Sequence, residues 1–250
     1  MKKEKIAISV DVSLLKEIDS RIDGSVMRSR SQAIEYFLKI GLQDEGVTTA
    51  VLLLKGSHQS LALKKIKGDS LINSQINFFA NCGINNLFII TQRTKNMNFL
   101  LREISKSKIR SEIIENAARG NANALEPIRK KVDGSFVVMS GDTYNNFDLL
   151  KMVRKHAQSE RIATMGLMTR EKASSYGTAI LDGDFIVDFK EKPKHYSTNI
   201  VNAGIYIFKP EVFELFDGAV SLEKEVFPRL ARLKQLVGFF TYGEYIHFGS

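Results

Sequence analysis

The first 42 residues of this 250-residue chain read as one short strand and two short amphipathic helices, too little apolar surface to bury a core alone. Such a unit needs a second copy of itself, so the pattern predicts an obligate dimer. In Lys5-Ile6-Ala7-Ile8-Ser9-Val10, the side chains of Ile6, Ile8 and Val10 share one face of a strand, and Lys5, Ala7 and Ser9 share the other. Asp11 is a good N-cap for a first helix with an apolar stripe of Leu14, Leu15, Ile18 and Ile22. Asp23-Gly24-Ser25 stops it, with Gly24 as the expected left-handed cap. Ser29-Arg30-Ser31-Gln32 fits a capping box for a second helix, whose stripe is Ala33, Ile34, Phe37, Leu38 and Gly41. Asp44-Glu45-Gly46 closes the unit.

This β-α-α pattern resembles the ribbon-helix-helix family of DNA-binding regulators over residues 3–42. The resemblance implies that two chains pair their strands into an antiparallel ribbon that enters the major groove of double-stranded DNA. Lys5, Ala7 and Ser9 would then face base edges, and the amides near Ser29, Arg30 and Ser31 would meet a phosphate. A plain dimerisation arm and a toxin-binding antitoxin are the other readings.

The formal charge is +8, of which residues 1–43 carry only +2, so basicity is spread along the chain and favours polyanions. A single cysteine, Cys82, makes no intrachain disulfide and reads as a small core residue in a reducing compartment. No apolar run reaches membrane-spanning length, and no signal-type segment follows Met1-Lys2-Lys3-Glu4. The expected setting is cytoplasmic, associated with the nucleoid, with no membrane partner.

Residues 44–48 form a short polar linker between an arm, 1–43, and a larger domain, 49–250. In the larger domain strands alternate with helices. Strands are expected at Ala50–Leu54, Asn86–Thr91, Glu112–Glu115, Ser135–Met139, Ala163–Met168 and Ile205–Phe208. Helices are expected at Leu71–Ala80, Met97–Lys106, Ala122–Val132, Leu149–Ala157 and Pro210–Phe216. A hairpin is expected around Asp182-Gly183. The fold class is therefore α/β, a mostly parallel mixed sheet flanked by helices.

An ordered series of motifs in residues 49–250 resembles the sugar-phosphate nucleotidyltransferases, and with them a Rossmann-like domain. Gly68-Asp69-Ser70-Leu71-Ile72 stands for the family's G-K-P-L-I, and Gly120-Asn121-Ala122-Asn123-Ala124-Leu125 for G-T-A-x-A-L. Ser140-Gly141-Asp142 stands for N-G-D, Tyr176-Gly177 for Y-G, Glu191-Lys192-Pro193 for E-K-P, and Asn202-Ala203-Gly204-Ile205-Tyr206 for N-A-G-I-Y. The resemblance implies a pocket for a sugar nucleotide, sugar phosphate or nucleotide. Its candidate ligand-binding residues are Gly56, Gly120, Asp142, Gly177, Glu191, Lys192, Asn202 and Gly204.

The same resemblance exposes departures. The glycine-rich loop G-G-x-G-T-R reads Lys55-Gly56-Ser57-His58-Gln59-Ser60, with serine where the phosphate-binding arginine stands. The P-K-P segment is missing between Leu61 and Gly68, and His247 occupies the place of the second metal carboxylate. These losses suggest a catalytically inactive domain with no catalytic residues and no required cofactor. Magnesium would enter only if the pocket is retained, with Asp142 as its one candidate ligand. The expectation is a homodimeric transcriptional regulator, with tetramers or larger assemblies open, whose larger domain senses the ligand or drives assembly. The alternatives are an active sugar-1-phosphate nucleotidyltransferase with an oligomerising arm, and a non-specific structural DNA-binding protein.

Overall fold

Ala50-Val51-Leu52-Leu53-Leu54 has no polar side chain for either face, and the fold covers both faces and both edges of this segment. The structure is a computed structural model. It describes residues 5–22, 27–44, 46–107 and 109–248, and of residues 39–44 the backbone alone. The chain divides into two compact units, Met1–Gly46 and Val47–Ser250.

The first unit holds α1 (Val12–Ser20) and α2 (Arg30–Asp44). The Asp11 carboxylate caps α1 by accepting the Ser13 N–H at 2.8 Å. Ser29 Oγ accepts the Gln32 N–H at 3.3 Å, and the Gln32 side chain accepts the Arg28 N–H at 3.0 Å, close to the expected capping box. The stop at Asp23-Gly24-Ser25 lies outside the described residues. The strand expected over Lys5–Val10 is not formed: these residues have no pairing partner among the described residues. The described residues of the arm thus form two helices and no ribbon, and a ribbon-helix-helix fold is not shown. Ala33 is the one buried apolar side chain described in this unit, while Ile6 is 75% and Leu38 53% exposed.

The second unit is built on a nine-stranded mixed sheet. Its strands in chain order are β1 (Thr49–Leu54), β4 (Asn86–Thr91), β5 (Arg110–Glu115), β6 (Phe136–Ser140), β8 (Ala163–Thr169), β9 (Gly177–Asp182), β10 (Phe185–Glu191), β11 (Ile200–Phe208) and β12 (Leu236–Phe240). The numbers between belong to two small ribbons, β2 (Lys65–Ile66) with β3 (Asp69–Ser70), and β7 (Thr143–Asn145) with β13 (Tyr245–His247). The sheet runs β5-β4-β1-β6-β11-β8-β12-β10-β9. β1 lies between β4 and β6, parallel to both. Parallel and antiparallel neighbours are equally frequent along the sheet, because β11 enters antiparallel between β6 and β8, and the β9–β10 hairpin closes one edge. Seven of the nine strands nonetheless run in one direction, with only β10 and β11 against them, so the sheet is mixed as expected.

Period-two alternation splits β1 between two cores. Leu52 and Leu54 pack on one face with Ile76, Phe79, Val137 and Met139. Val51 packs on the other with Phe136, Val138, Phe208 and Phe227. Each fully buried side chain of this size contributes about 1.5–3 kcal/mol. The covering helices are α3 (Gln59–Ala62), α4 (Leu71–Ala80), α5 (Met97–Ile104), α6 (Asn121–Leu125), α7 (Leu149–Ser159) and α8 (Phe227–Arg232). Cys82 packs against the first core, and burial pushes its thiol pKa up. The helix expected over Ala122–Val132 stops at Leu125. Pro127 lacks the N–H that would continue it, and the chain goes on as a 3-10 turn, Glu126–Ile128. Pro210–Leu215 is likewise a 3-10 helix.

His156 on α7 is 2% exposed, with Nδ1 2.9 Å from Thr164 Oγ1 and Nε2 3.3 Å from Ser135 Oγ. Burial, reinforced by Lys209, lowers its pKa to about 4 from 6.5. The unfolded chain therefore binds this proton more readily than the folded one. Stability should be full above pH ~6.5 and fall by roughly 3 kcal/mol as pH drops toward 4. Urea midpoints measured across that window should show the loss, and His156→Gln should remove this part of the slope.

Candidate active site

The carboxyl ends of β1, β4 and β6 open into a cavity of about 520 Å³, a size suited to a small ligand. Sheet order reverses here. From β1 the chain adds β4 and β5 on one side, then returns to place β6 on the other. Loops leaving β1 and β6 diverge at such a point and leave a crevice.

The loop after β1 forms the first wall. Gly56–His58 is a 3-10 turn leading into α3. Gln59 is fully buried and ties the loop to the end of β4: its Nε2 donates to Thr91 Oγ1 at 3.0 Å and to the Gln92 carbonyl at 2.7 Å. Thr94 donates to Gln59 Oε1, and the Gly56 N–H donates to the Gln92 side chain. Lys55 and His58 line the cavity; Gly56 sits behind them in the loop.

Asp142 follows β6, its side chain only 15% exposed. Its Oδ2 lies 3.1 Å from His58 Nδ1 and 3.6 Å from His247 Nε2. The β7–β13 ribbon sets this geometry. His247 pairs with Thr143 in register, and the Phe248 N–H donates to the Asp142 carbonyl at 2.9 Å. Three segments remote in sequence thus meet on one carboxylate oxygen. The resemblance implies magnesium between two carboxylates at this place. One carboxylate and two imidazoles do not fit that ion, which takes oxygen ligands. Among the described residues no group of three or more His, Cys, Asp or Glu side chains is arranged to hold a metal.

The opposite wall is carboxylate-rich. Glu191 ends β10, with Lys192 Nζ 3.9 Å from its Oε1. Burial raises the Glu191 pKa, and the nearby Glu223 raises it further. Glu223 accepts Asn121 Nδ2 at 2.9 Å on both oxygens and Ser221 Oγ at 3.1 Å on one. Gly120 makes this wall close. Its φ is +93°, and an added Cβ would lie 2.1 Å from the Val220 carbonyl oxygen. Gly177 faces Glu191 across the β9–β10 hairpin, where a Cβ would fall 2.9 Å from the carboxylate.

Of the residues expected from sequence, Gly120, Asp142, Glu191 and Lys192 line the cavity together. Gly56 and Gly177 are one layer behind. Asn202 donates to the buried Tyr206 hydroxyl at 2.7 Å and accepts the Gly204 N–H at 2.8 Å, shaping an irregularity in β11. Sequence reading missed Lys55, Asn116, Ser221 and Glu223, all lining the cavity. Ser221 has a local signature, since it caps the following turn by accepting the Lys224 N–H at 3.2 Å. In the arm, Arg30 is committed to Asp19 through two hydrogen bonds of 2.8 and 2.7 Å.

Comparison with known proteins agrees with this architecture. The chain is 28% identical over 192 residues to the mannose-1-phosphate guanyltransferase of Saccharomyces cerevisiae, covering 72% of this chain and 53% of that protein. It is 30% identical over 172 residues to the mannose-1-phosphate guanylyltransferase catalytic subunit beta of Drosophila pseudoobscura pseudoobscura, covering 66% and 46%. The chain thus spans about half the length of these relatives. The fold matches a UDP-glucose pyrophosphorylase crystallised with UDP-glucose, at a TM-score of 0.68 and 17% identity over 82% of this chain and 94% of that one. It also matches the inositol-1-phosphate CTP transferase from T. maritima, with a TM-score of 0.68 and 14% identity over 82% and 91%. These matches overturn the expectation of a DNA-binding transcriptional regulator carrying an inactive domain. The relatives are named as enzymes of nucleotidyl transfer, and nothing in them supports DNA reading by Lys5, Ala7, Ser9, Ser29, Arg30 or Ser31. The nucleotidyl transferase family profile matches residues 57–231, well over half of the sequence, and the chain belongs to that family.

Proposed function

We propose that Val47–Ser250 is a sugar-1-phosphate nucleotidyltransferase. A phosphate oxygen of the sugar 1-phosphate attacks the α-phosphorus of a nucleoside triphosphate; the bond from that phosphorus to the bridging oxygen breaks, and pyrophosphate leaves. The nucleophile is already ionised, so the step needs no general base. It needs alignment and neutralisation of phosphate charge. One observation carries this reading. A single cavity sets Lys55, His58 and Lys192, suited to phosphate, beside Glu191, Glu223 and Asn121, suited to hydroxyl groups. The donor set at Asp142 does not suit magnesium, and in this reading Lys55, His58 and Lys192 neutralise the phosphate charge without a metal cofactor.

The relatives' names make GTP and mannose 1-phosphate the first pair to test. Purified protein should convert them to GDP-mannose and pyrophosphate, followed by chromatography and a pyrophosphate assay. Lack of turnover across a panel of triphosphates and sugar 1-phosphates would refute the proposal. Replacing Lys192 with Ala should lower kcat/KM by roughly 100-fold. In Glu191→Ala, steady-state kinetics should show a raised KM for the sugar phosphate and a nearly unchanged KM for the nucleotide.

We also propose that the arm associates with a second copy of this chain. Its apolar side chains lie mostly exposed, and Lys5–Val10 has a row of backbone groups that a strand from an identical chain would satisfy. Sedimentation of the full chain should give a dimer or a larger even-numbered species, and Ile8→Glu should shift it toward monomer.

A further inference from the structure

Two imidazoles, those of His58 and His247, face Asp142 inside the cavity that the proposed reaction assigns to a phosphate-bearing ligand. The loop arginine is replaced by Ser60 and the second carboxylate by His247. His58 and His247 line the same cavity as Lys55 and Lys192 and share one carboxylate oxygen, at 3.1 and 3.6 Å. A protonated imidazole is a donor at both ring nitrogens. A ring with one nitrogen facing Asp142 has, when protonated, a second N–H on its far side to give to an anion. A carboxylate behind a histidine also fixes the ring's orientation, as it does in metal and catalytic sites.

We infer that His58 and His247, each with one ring nitrogen facing Asp142, bind the diphosphate of a nucleoside diphosphate sugar as imidazolium donors through the other nitrogen, with no divalent cation. This rests on the sugar-nucleotide reading of the cavity. His58 approaches from the β1 loop and His247 from the β7–β13 ribbon, so a diphosphate between them would be gripped from two sides. Asp142 then orients the two rings and is not a metal ligand.

Titration calorimetry with GDP-mannose tests this, in buffer with EDTA and again with excess magnesium. The expected result is binding in EDTA, with magnesium changing the affinity by less than about tenfold. His58→Ala and His247→Ala should each weaken binding by roughly tenfold or more while leaving the urea midpoint near that of the parent protein. Adding GDP-mannose in EDTA should also move the ring-nitrogen NMR signals of both histidines. His247→Asp puts a second carboxylate beside Asp142 and should make binding magnesium-dependent. A tenfold or greater gain with magnesium in the unmodified protein, or undiminished binding in both alanine variants, would overturn the inference and leave the sugar-nucleotide reading standing. No binding under either condition would overturn both.

Discussion

The structure depends on β1 being held in parallel between β4 and β6. This needs a segment that is apolar on both faces and paired along both edges, and Ala50–Leu53 supplies it. Once β1 is fixed there, the loops after β1 and β6 must leave the sheet in different directions. The crevice between them brings Lys55, His58 and Asp142 to one place. The Gly141 N–H donating to the Leu53 carbonyl at 2.8 Å carries this pairing to the point where Asp142 begins. The site is thus a consequence of strand order before it is a consequence of side-chain choice.

Elements with a strong local signal were legible in the sequence. Leu71–Ala80 and Asn86–Thr91 have the bounds that periodicity and β-branched content indicate. Ala122–Val132 looks helical by periodicity alone, but Pro127 breaks the hydrogen-bond ladder, a local veto that an apolar stripe does not register. The β7–β13 ribbon was not legible, because three-residue strands paired over a hundred residues apart leave no periodic trace. The same holds for the site. Asp142, Glu191 and Lys192 stood in motifs, whereas Glu223 reaches the cavity through Asn121, a pairing only the tertiary fold makes.

Loss of single motif residues does not by itself make such a domain inactive. Removing an arginine from a phosphate loop removes a charge, yet the field at a phosphate is a sum over every nearby group, and a cavity wall can supply that charge from elsewhere. Here Lys55 and Lys192 approach from two loops that lie far apart in sequence. The regulatory reading of the arm failed for a related reason. A strand and two helices suit dimerisation as well as DNA binding, and the pattern alone does not separate the two.

The third glycine of a phosphate loop is normally useful because a bare backbone can come close to an anion and present its N–H groups. His58 occupies that position with φ −97° and ψ 1°, a turn conformation that glycine is not needed to reach. The loop then curls into a 3-10 turn and offers the His58 side chain to the cavity. Such a turn must be held firmly to be useful, since a side chain adds rotatable bonds that an amide lacks. Gln59, Gln92 and Thr94 supply that hold from behind the loop, and Asp142 supplies it from in front. On the proposed reading, histidine at this position meets a phosphate through its ring where glycine would do so through its amide. The buried amide network and the shared carboxylate are what make the exchange structurally coherent.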